Sequence, residues 1–213
     1  MKIKHVFMII ASVATLALTG CAVNVSTISP NTKFTNFSQK DKAEHSTKTA
    51  FIRNVVDDRQ FKAKARADQP TWSNDGSHEE ARAIGRKRNG FGKAMGGFVL
   101  PVDTTAADVI RKTLAEALIA NGYKVLNNEA DVKPETKVID VEMTQFWMWL
   151  NPGFWQLRLN AAIDTTVHQE GAEPVRVNGE YHEGFQLGTN SHYLKVLNTA
   201  LRRYYKNAVD NLK

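Results

Sequence analysis

Cysteine is almost absent: Cys21 is the single one in 213 residues. No disulfide can form within the chain, no cysteine-based metal site can assemble, and no second thiol is left for nucleophilic catalysis. Six histidines are present, but His45, His78, His168, His182 and His192 show no His-x-x-x-His spacing. Glu180-Tyr-His-Glu183 is a short polar cluster on an expected strand and lacks the softer or closer ligands a metal needs. There is no Gly-x-Ser-x-Gly elbow. The glycine- and lysine-containing stretch before Ala94 is not a phosphate-binding loop, because Lys93 is followed by Ala94 rather than Ser or Thr. With no catalytic constellation in view, the expectation is a protein that is not an enzyme and needs no cofactor or metal. A long apolar run is also missing. Val6–Leu18 has 13 small and apolar residues, against about 20 for a membrane-spanning helix. The formal charge of +6 is mild. It licenses a weak attraction to anionic lipid or glycan and gives no argument for nucleic acid.

What is present at the start of the chain is more specific. Lys2, Lys4 and His5 precede the apolar run, and Leu18-Thr19-Gly20-Cys21 follows it. A charged region, a short apolar region and small residues before a cut site mark a secretion signal over residues 1–20. The Leu-Thr-Gly-Cys sequence resembles the bacterial lipobox. That resemblance implies that the Cys21 thiol carries a diacylglycerol, that the signal is cut before it, and that the new amine is acylated. One acyl chain binds a membrane only marginally, with a constant on the order of 10⁴ M⁻¹, and three make an effectively permanent anchor. Ala22 stands where an Asp favours retention in the inner membrane of enteric-type bacteria. The resemblance therefore implies an outer-membrane lipoprotein whose domain faces the periplasm. Loss of Lys2 and Lys4 with the signal takes the formal charge from +6 to +4.

Residues 22–48 are rich in Ser, Thr, Asn and Lys and carry Pro30. They read as a flexible tether with a mean reach of about 30 Å, and residues 49–213 as one domain. Thr49–Val56 is an expected strand. Residues 60–98, with seven punctuating Gly and Pro residues, read as a long loop with one short helix near His78–Ala83. The helix expected from Thr105 to Asn121 opens on a Thr105–Asp108 capping box and closes at Gly122. Tyr123–Leu126 follows as a short strand. Alternation then predicts strands at Lys137–Thr144, Trp155–Val167 and Val175–Tyr181, forming an antiparallel meander. A final amphipathic helix runs from Ser191 to about Leu212. The order β-α-β-β-β-β-α predicts an α+β two-layer sandwich: a mainly antiparallel sheet of four to five strands with two amphipathic helices on one face.

The lipobox, Asp57-Asp-Arg59 after the first strand, Ile84-Gly85, Asn121-Gly-Tyr-Lys-Val125, the long hairpin, Tyr181 to Phe185 and the final helix together resemble the YajG-type lipoproteins of Gram-negative bacteria. The likeness covers most of residues 49–213. The stretch between Arg59 and Ile84 and the aromatic tip depart from it. In architecture the chain is also similar to small lipoproteins that assist envelope transport machines, although architecture does not fix function.

Three features are candidates for function. The first is Phe146-Trp-Met-Trp-Leu-Asn-Pro-Gly-Phe-Trp155, which holds three of the four tryptophans. Phe146, Met148 and Leu150 face one side of an alternating strand, and Trp147 and Trp149 the other. One set joins the core while the other is covered by the 60–98 loop, or Trp147, Trp149, Phe154 and Trp155 form a surface. Such a surface would dock a protein partner, stack sugar rings or rest at the membrane interface, and partner docking is preferred. The second is the basic run around Arg86, Lys87 and Arg88, with Arg82 and Lys93. It is either a solvated mobile loop or a site for phosphate or carboxylate. The third, Asp57-Asp58-Arg59, is an anion site or a set of salt bridges that ties down the following loop. The expected function is that of a membrane-anchored accessory protein that binds an envelope protein partner. The alternative is a binding module for cell-wall fragments or glycan.

Overall fold

The computed structural model describes residues 25–62, 66–71, 80–88, 93–152, 156–186 and 189–213. The expected signal, Cys21, Phe154 and Trp155 lie outside these residues. In chain order the elements are β1 (Ser26–Thr27), α1 (Phe37–Glu44), β2 (Thr49–Asp57), a 3₁₀ turn (Glu80–Arg82), β3 (Ala83–Arg88), β4 (Ala94–Val99) and α2 (Ala106–Ala120). They continue with β5 (Lys124–Leu126), a second 3₁₀ turn (Glu129–Asp131), β6 (Lys137–Pro152), β7 (Leu157–Gln169), β8 (Val175–Phe185) and α3 (Asn190–Asn211).

Strand β6 is the axis of one mixed, eight-stranded sheet. On one edge it pairs antiparallel with β7 from Ile139–Gln169 to Pro152–Leu157, and β7 pairs antiparallel with β8. This is the meander that the alternation predicts. On the other edge β6 changes partner midway. Its first half runs parallel to β2, which also pairs with β5. Its second half meets β3 at Gly85–Met148, and β3 leads on to β4 and β1. The α+β class is as expected, but the sheet is larger than four to five strands and has parallel pairs at its heart. The 60–98 segment is also not wholly a loop, because it supplies the β3–β4 hairpin.

A bulge organises the core. The β6–β7 register shifts between Met143 and Gln145. The extra residue resets the pleat, so odd-numbered Ile139, Val141 and Met143 share a face with even-numbered Phe146, Met148 and Leu150. All six are buried. Helices α2 and α3 cover this face. Thr105 and Asp108 exchange the expected capping hydrogen bonds, at 3.1 and 2.8 Å. Gly122, at φ +83°, takes the left-handed turn that ends α2. Along α3, Leu197, Leu201, Tyr204 and Ala208 are buried against the sheet. The helix also protects the open edge of β8: Asn207 Oδ1 accepts from Asn178 N at 3.2 Å, and Arg203 Nη1 donates to Glu180 O at 2.9 Å. Unpaired strand edges invite association with other chains, and these contacts blunt this one.

The described part of the expected tether, residues 25–48, is folded onto the domain. β1 joins the sheet, Ile28 is buried in the core, and α1 packs on α2 and β5. Phe34 stacks on Tyr205 with ring centroids 4.7 Å apart. Polar composition suggested solvation, and most side chains here are exposed, but several backbone and side-chain groups are bound by the domain. Asn198 Oδ1 accepts from Asn31 N, and Glu116 Oε2 accepts from the backbone of Phe34 and Thr35. Among the described residues, no helix is long and apolar enough to cross a membrane.

Candidate functional site

The register aligns one row across six strands. Ser26 of β1 pairs with Phe98 of β4, Phe98 with Gly85 of β3, Gly85 with Met148, Met148 with Ala161, and Ala161 with Tyr181. Beyond that row, toward the end where β3 stops and β6 turns, lie Arg86, Lys87, Arg88 and Lys93, Trp149, Arg158, and Phe185 stacked on His192 at 3.9 Å. The first two candidate features of the sequence therefore meet at one end of the sheet.

Within this end the residues take different roles. Trp147 is only 1% exposed. Its indole N–H donates to Ala67 O at 3.3 Å, and Phe61 meets its ring edge-on at 6.2 Å. The chain after β2 thus lies over Trp147, while Phe146, Met148 and Leu150 fill the helix-covered face. Trp149 is half-buried and retains some surface. Lys87 lies over the Phe98 ring at 5.1 Å and donates to the Ser26 hydroxyl, which also accepts from Asn190 Nδ2 at 3.1 Å. The start of β1 is thereby bound to the basic hairpin and to the first residue of α3. Burial pushes the Lys87 ammonium below its ordinary pKa. Burial, and then Arg88, does the same to the Arg86 guanidinium, which donates to Thr71 Oγ1 at 3.1 Å. Burial pushes the nearby Tyr193 phenol up to about 12.

The third feature is structural. The Arg59 side chain is fully enclosed, and each of its five N–H groups has an acceptor. Nε and Nη2 hold Asp57 through a bidentate pair, both at 2.7 Å. The remaining donors reach Ala83 O at 2.6 Å, Phe146 O at 3.1 Å and Glu80 O at 2.9 Å. Arg59 sits where β6 exchanges β2 for β3, and it closes that seam. No donor is left for a ligand.

At the opposite end, a cleft of about 820 Å³ is lined by Lys48, Tyr123, Lys133, Thr136, Lys137 and Glu170, among others. Lys137 lies 5.2 Å from the centre of the Tyr123 ring and Lys48 6.0 Å. Burial pushes Lys137 below the usual lysine range. Sequence reading missed this cleft because its lysines come from separate segments and form no local pattern. Among the described residues no group of three or more His, Cys, Asp or Glu side chains is placed to hold a metal.

No family model matches the chain, and no curated protein matches it. Among solved structures it is similar to a crystal structure of an uncharacterised protein, at 9% identity and a TM-score of 0.37, covering 76% of this chain and 95% of that one. It is also similar to a Xanthomonas campestris protein described under DUF330, at 6% identity and a TM-score of 0.42, covering 88% and 91%.

Proposed function

We propose that this chain is a lipid-anchored accessory protein of the Gram-negative envelope, of the YajG-like kind, acting without catalysis at the periplasmic side of the outer membrane. The observation that carries this reading is Leu18-Thr19-Gly20-Cys21, placed after a basic and apolar leader and four residues before the first described residue of the domain. Its work is to engage another envelope protein close to the bilayer. Intact-mass measurement of protein extracted from cell membranes tests the anchor. The expected species starts at Cys21 and carries three acyl chains, and Cys21→Ser is expected to release the protein from the membrane fraction. An intact Met1 or an unmodified thiol would overturn the reading. Crosslinking in cells followed by mass spectrometry tests the partner, which is expected to be one recurrent envelope protein.

The lysine-lined cleft favours a second reading, a module for acidic cell-wall fragments. Calorimetric titration with soluble muropeptides separates the two. Saturable binding that is lost in Lys137→Ala supports the module, and no heat at millimolar ligand removes it.

A further inference from the structure

We infer that the end of the sheet carrying Arg86, Lys87, Arg88, Lys93 and Trp149 lies against the phospholipid surface, an inference that rests on the proposed lipidation of Cys21. The first argument is reach. Residues 25–48 are folded onto the domain, so the stand-off tether that composition suggested is not available. Val25 follows Cys21 by four residues, and four extended residues span at most about 14 Å. An acylated Cys21 sits at the boundary of headgroups and acyl chains, which keeps the start of β1 within that distance of the bilayer.

The second argument is direction. β1 runs parallel to β4, so the chain enters β1 from the side of the sheet on which β4 begins and the β3–β4 hairpin turns. Ser26 shares its row with Met148. The end of β6 at Pro152 is four residues beyond that row, or about 13 Å at strand spacing. The opposite end, at Lys137, is 11 residues the other way, or about 35 Å. Both ends carry cations, because the lysine-lined cleft is at the far one. Covalent reach decides between them, since only the hairpin end is within the span that Cys21 allows.

The third argument is chemistry. Arg88, Lys93 and Arg158 lie beyond the common row, while the Lys87 ammonium turns back to Ser26 and Arg86 to Thr71, and a cluster of basic residues close to an anionic surface favours its binding. Glu183, an acid of this end, is bound to Lys195 at 2.7 Å. Met95 on β4 is 45% exposed, and Trp149 is half-buried. Apolar and indole groups among cations suit the headgroup boundary.

The test uses the full lipidated protein from cell membranes, reconstituted in vesicles of phosphatidylethanolamine and phosphatidylglycerol. One phospholipid carries a photoactivatable diazirine near its headgroup, and the labelled peptides are mapped by mass spectrometry. Peptides containing Arg88, Lys93, Met95, Trp149 or Arg158 are expected to label several times more strongly than those containing Lys133, Lys137 or His168. Even labelling, or labelling centred on the lysine-lined cleft, overturns the orientation. The same spectra report the Cys21 peptide. A lipidated Cys21 with misplaced labelling defeats the orientation alone, while an unlipidated Cys21 defeats both the orientation and the proposed anchor.

Discussion

Thr35 gives both its backbone N–H and its hydroxyl to the same carboxylate oxygen of Glu116, 81 residues away, at 2.8 and 2.5 Å. Phe34 N donates to that oxygen at 2.9 Å, and Lys40 Nζ lies 3.1 Å from the other. The segment before β2 therefore has an electrostatic latch on α2, and the latch is sensitive to pH. Burial alone would raise the Glu116 pKa, but the Thr35 hydroxyl and N–H, Phe34 N–H and Lys40 together hold it below the usual carboxylate range.

The sign follows from that depression. A carboxylate whose folded pKa lies below its unfolded one stabilises fully above the unfolded value, 4.5. The contribution fades as the pH falls from there through the folded value. Amide hydrogen exchange at Phe34, Thr35 and α1 is expected to accelerate in that window, ahead of exchange in β6 and β7. Glu116→Gln should produce the same selective acceleration at neutral pH and remove about 1.5–3 kcal/mol from the docking of the segment. Uniform acceleration across the domain would refute a separate latch.

Arg59→Ala is expected to be severe. It leaves Asp57 without its bidentate partner and removes the guanidinium donors from three carbonyls at the point where β6 changes neighbours. Removing one member of a buried ion pair costs about 3–5 kcal/mol, and because the Asp57 side chain keeps 22% of its surface the loss is expected near the low end of that range. Arg59→Lys restores the charge without the fork and should recover only part of that. Urea unfolding checks both variants. A midpoint unchanged in Arg59→Ala would mean that the seam is held by something else.

Gly179 lies where α3 comes down on β8. A Cβ there would fall 2.4 Å from both Ala200 O and Tyr204 N, which are helix backbone atoms with little freedom to yield. Gly179→Ala is expected to cost about 1–3 kcal/mol by overpacking. The melting midpoint would fall by roughly 2–4 °C for each kcal/mol. At Gly171, on the open turn between β7 and β8, the same addition meets nothing within 4 Å. The effect there comes only from its φ of +73°, which makes the pair a control for crowding against backbone strain.

Where a local signal and the tertiary structure agree, the sequence is legible. The Thr105–Asp108 box, Gly122, the stripe along α3 and the alternation through β7 and β8 all state locally what the fold then uses. The β3–β4 hairpin was not legible, because Gly85, Gly96 and Gly97 stand where alternating side chains would announce strands. The folded N-terminal segment was hidden for a different reason. Its composition is polar, and its stability comes from Glu116 and Asn198, which no local window contains. Arg59 was recognisable as a charged residue after a strand, but three of its acceptors are carbonyls brought in from 21, 24 and 87 residues away. Of the candidate surface, the basic run and Trp149 were found by sequence. That they share one end with the start of β1 is a consequence of parallel pairing, which alternation cannot reveal.

The aromatic run gives a last test, because its two central tryptophans look equivalent in sequence and are not equivalent in the fold. Trp147 is enclosed by Phe61 and the Ala67 carbonyl, so Trp147→Ala removes a core side chain and leaves a cavity, at about 3–5 kcal/mol. Phe61 and the described residues 66–71 should loosen with it, and tryptic cleavage after the exposed Arg66 should accelerate. Trp149 is only half-buried, so Trp149→Ala should cost less than half as much and leave the rate of cleavage after Arg66 unchanged. Thermal melts and limited proteolysis of the two variants side by side decide the matter. Equal, small losses would mean that the segment after β2 does not cover the sheet in solution and that both indoles belong to the surface.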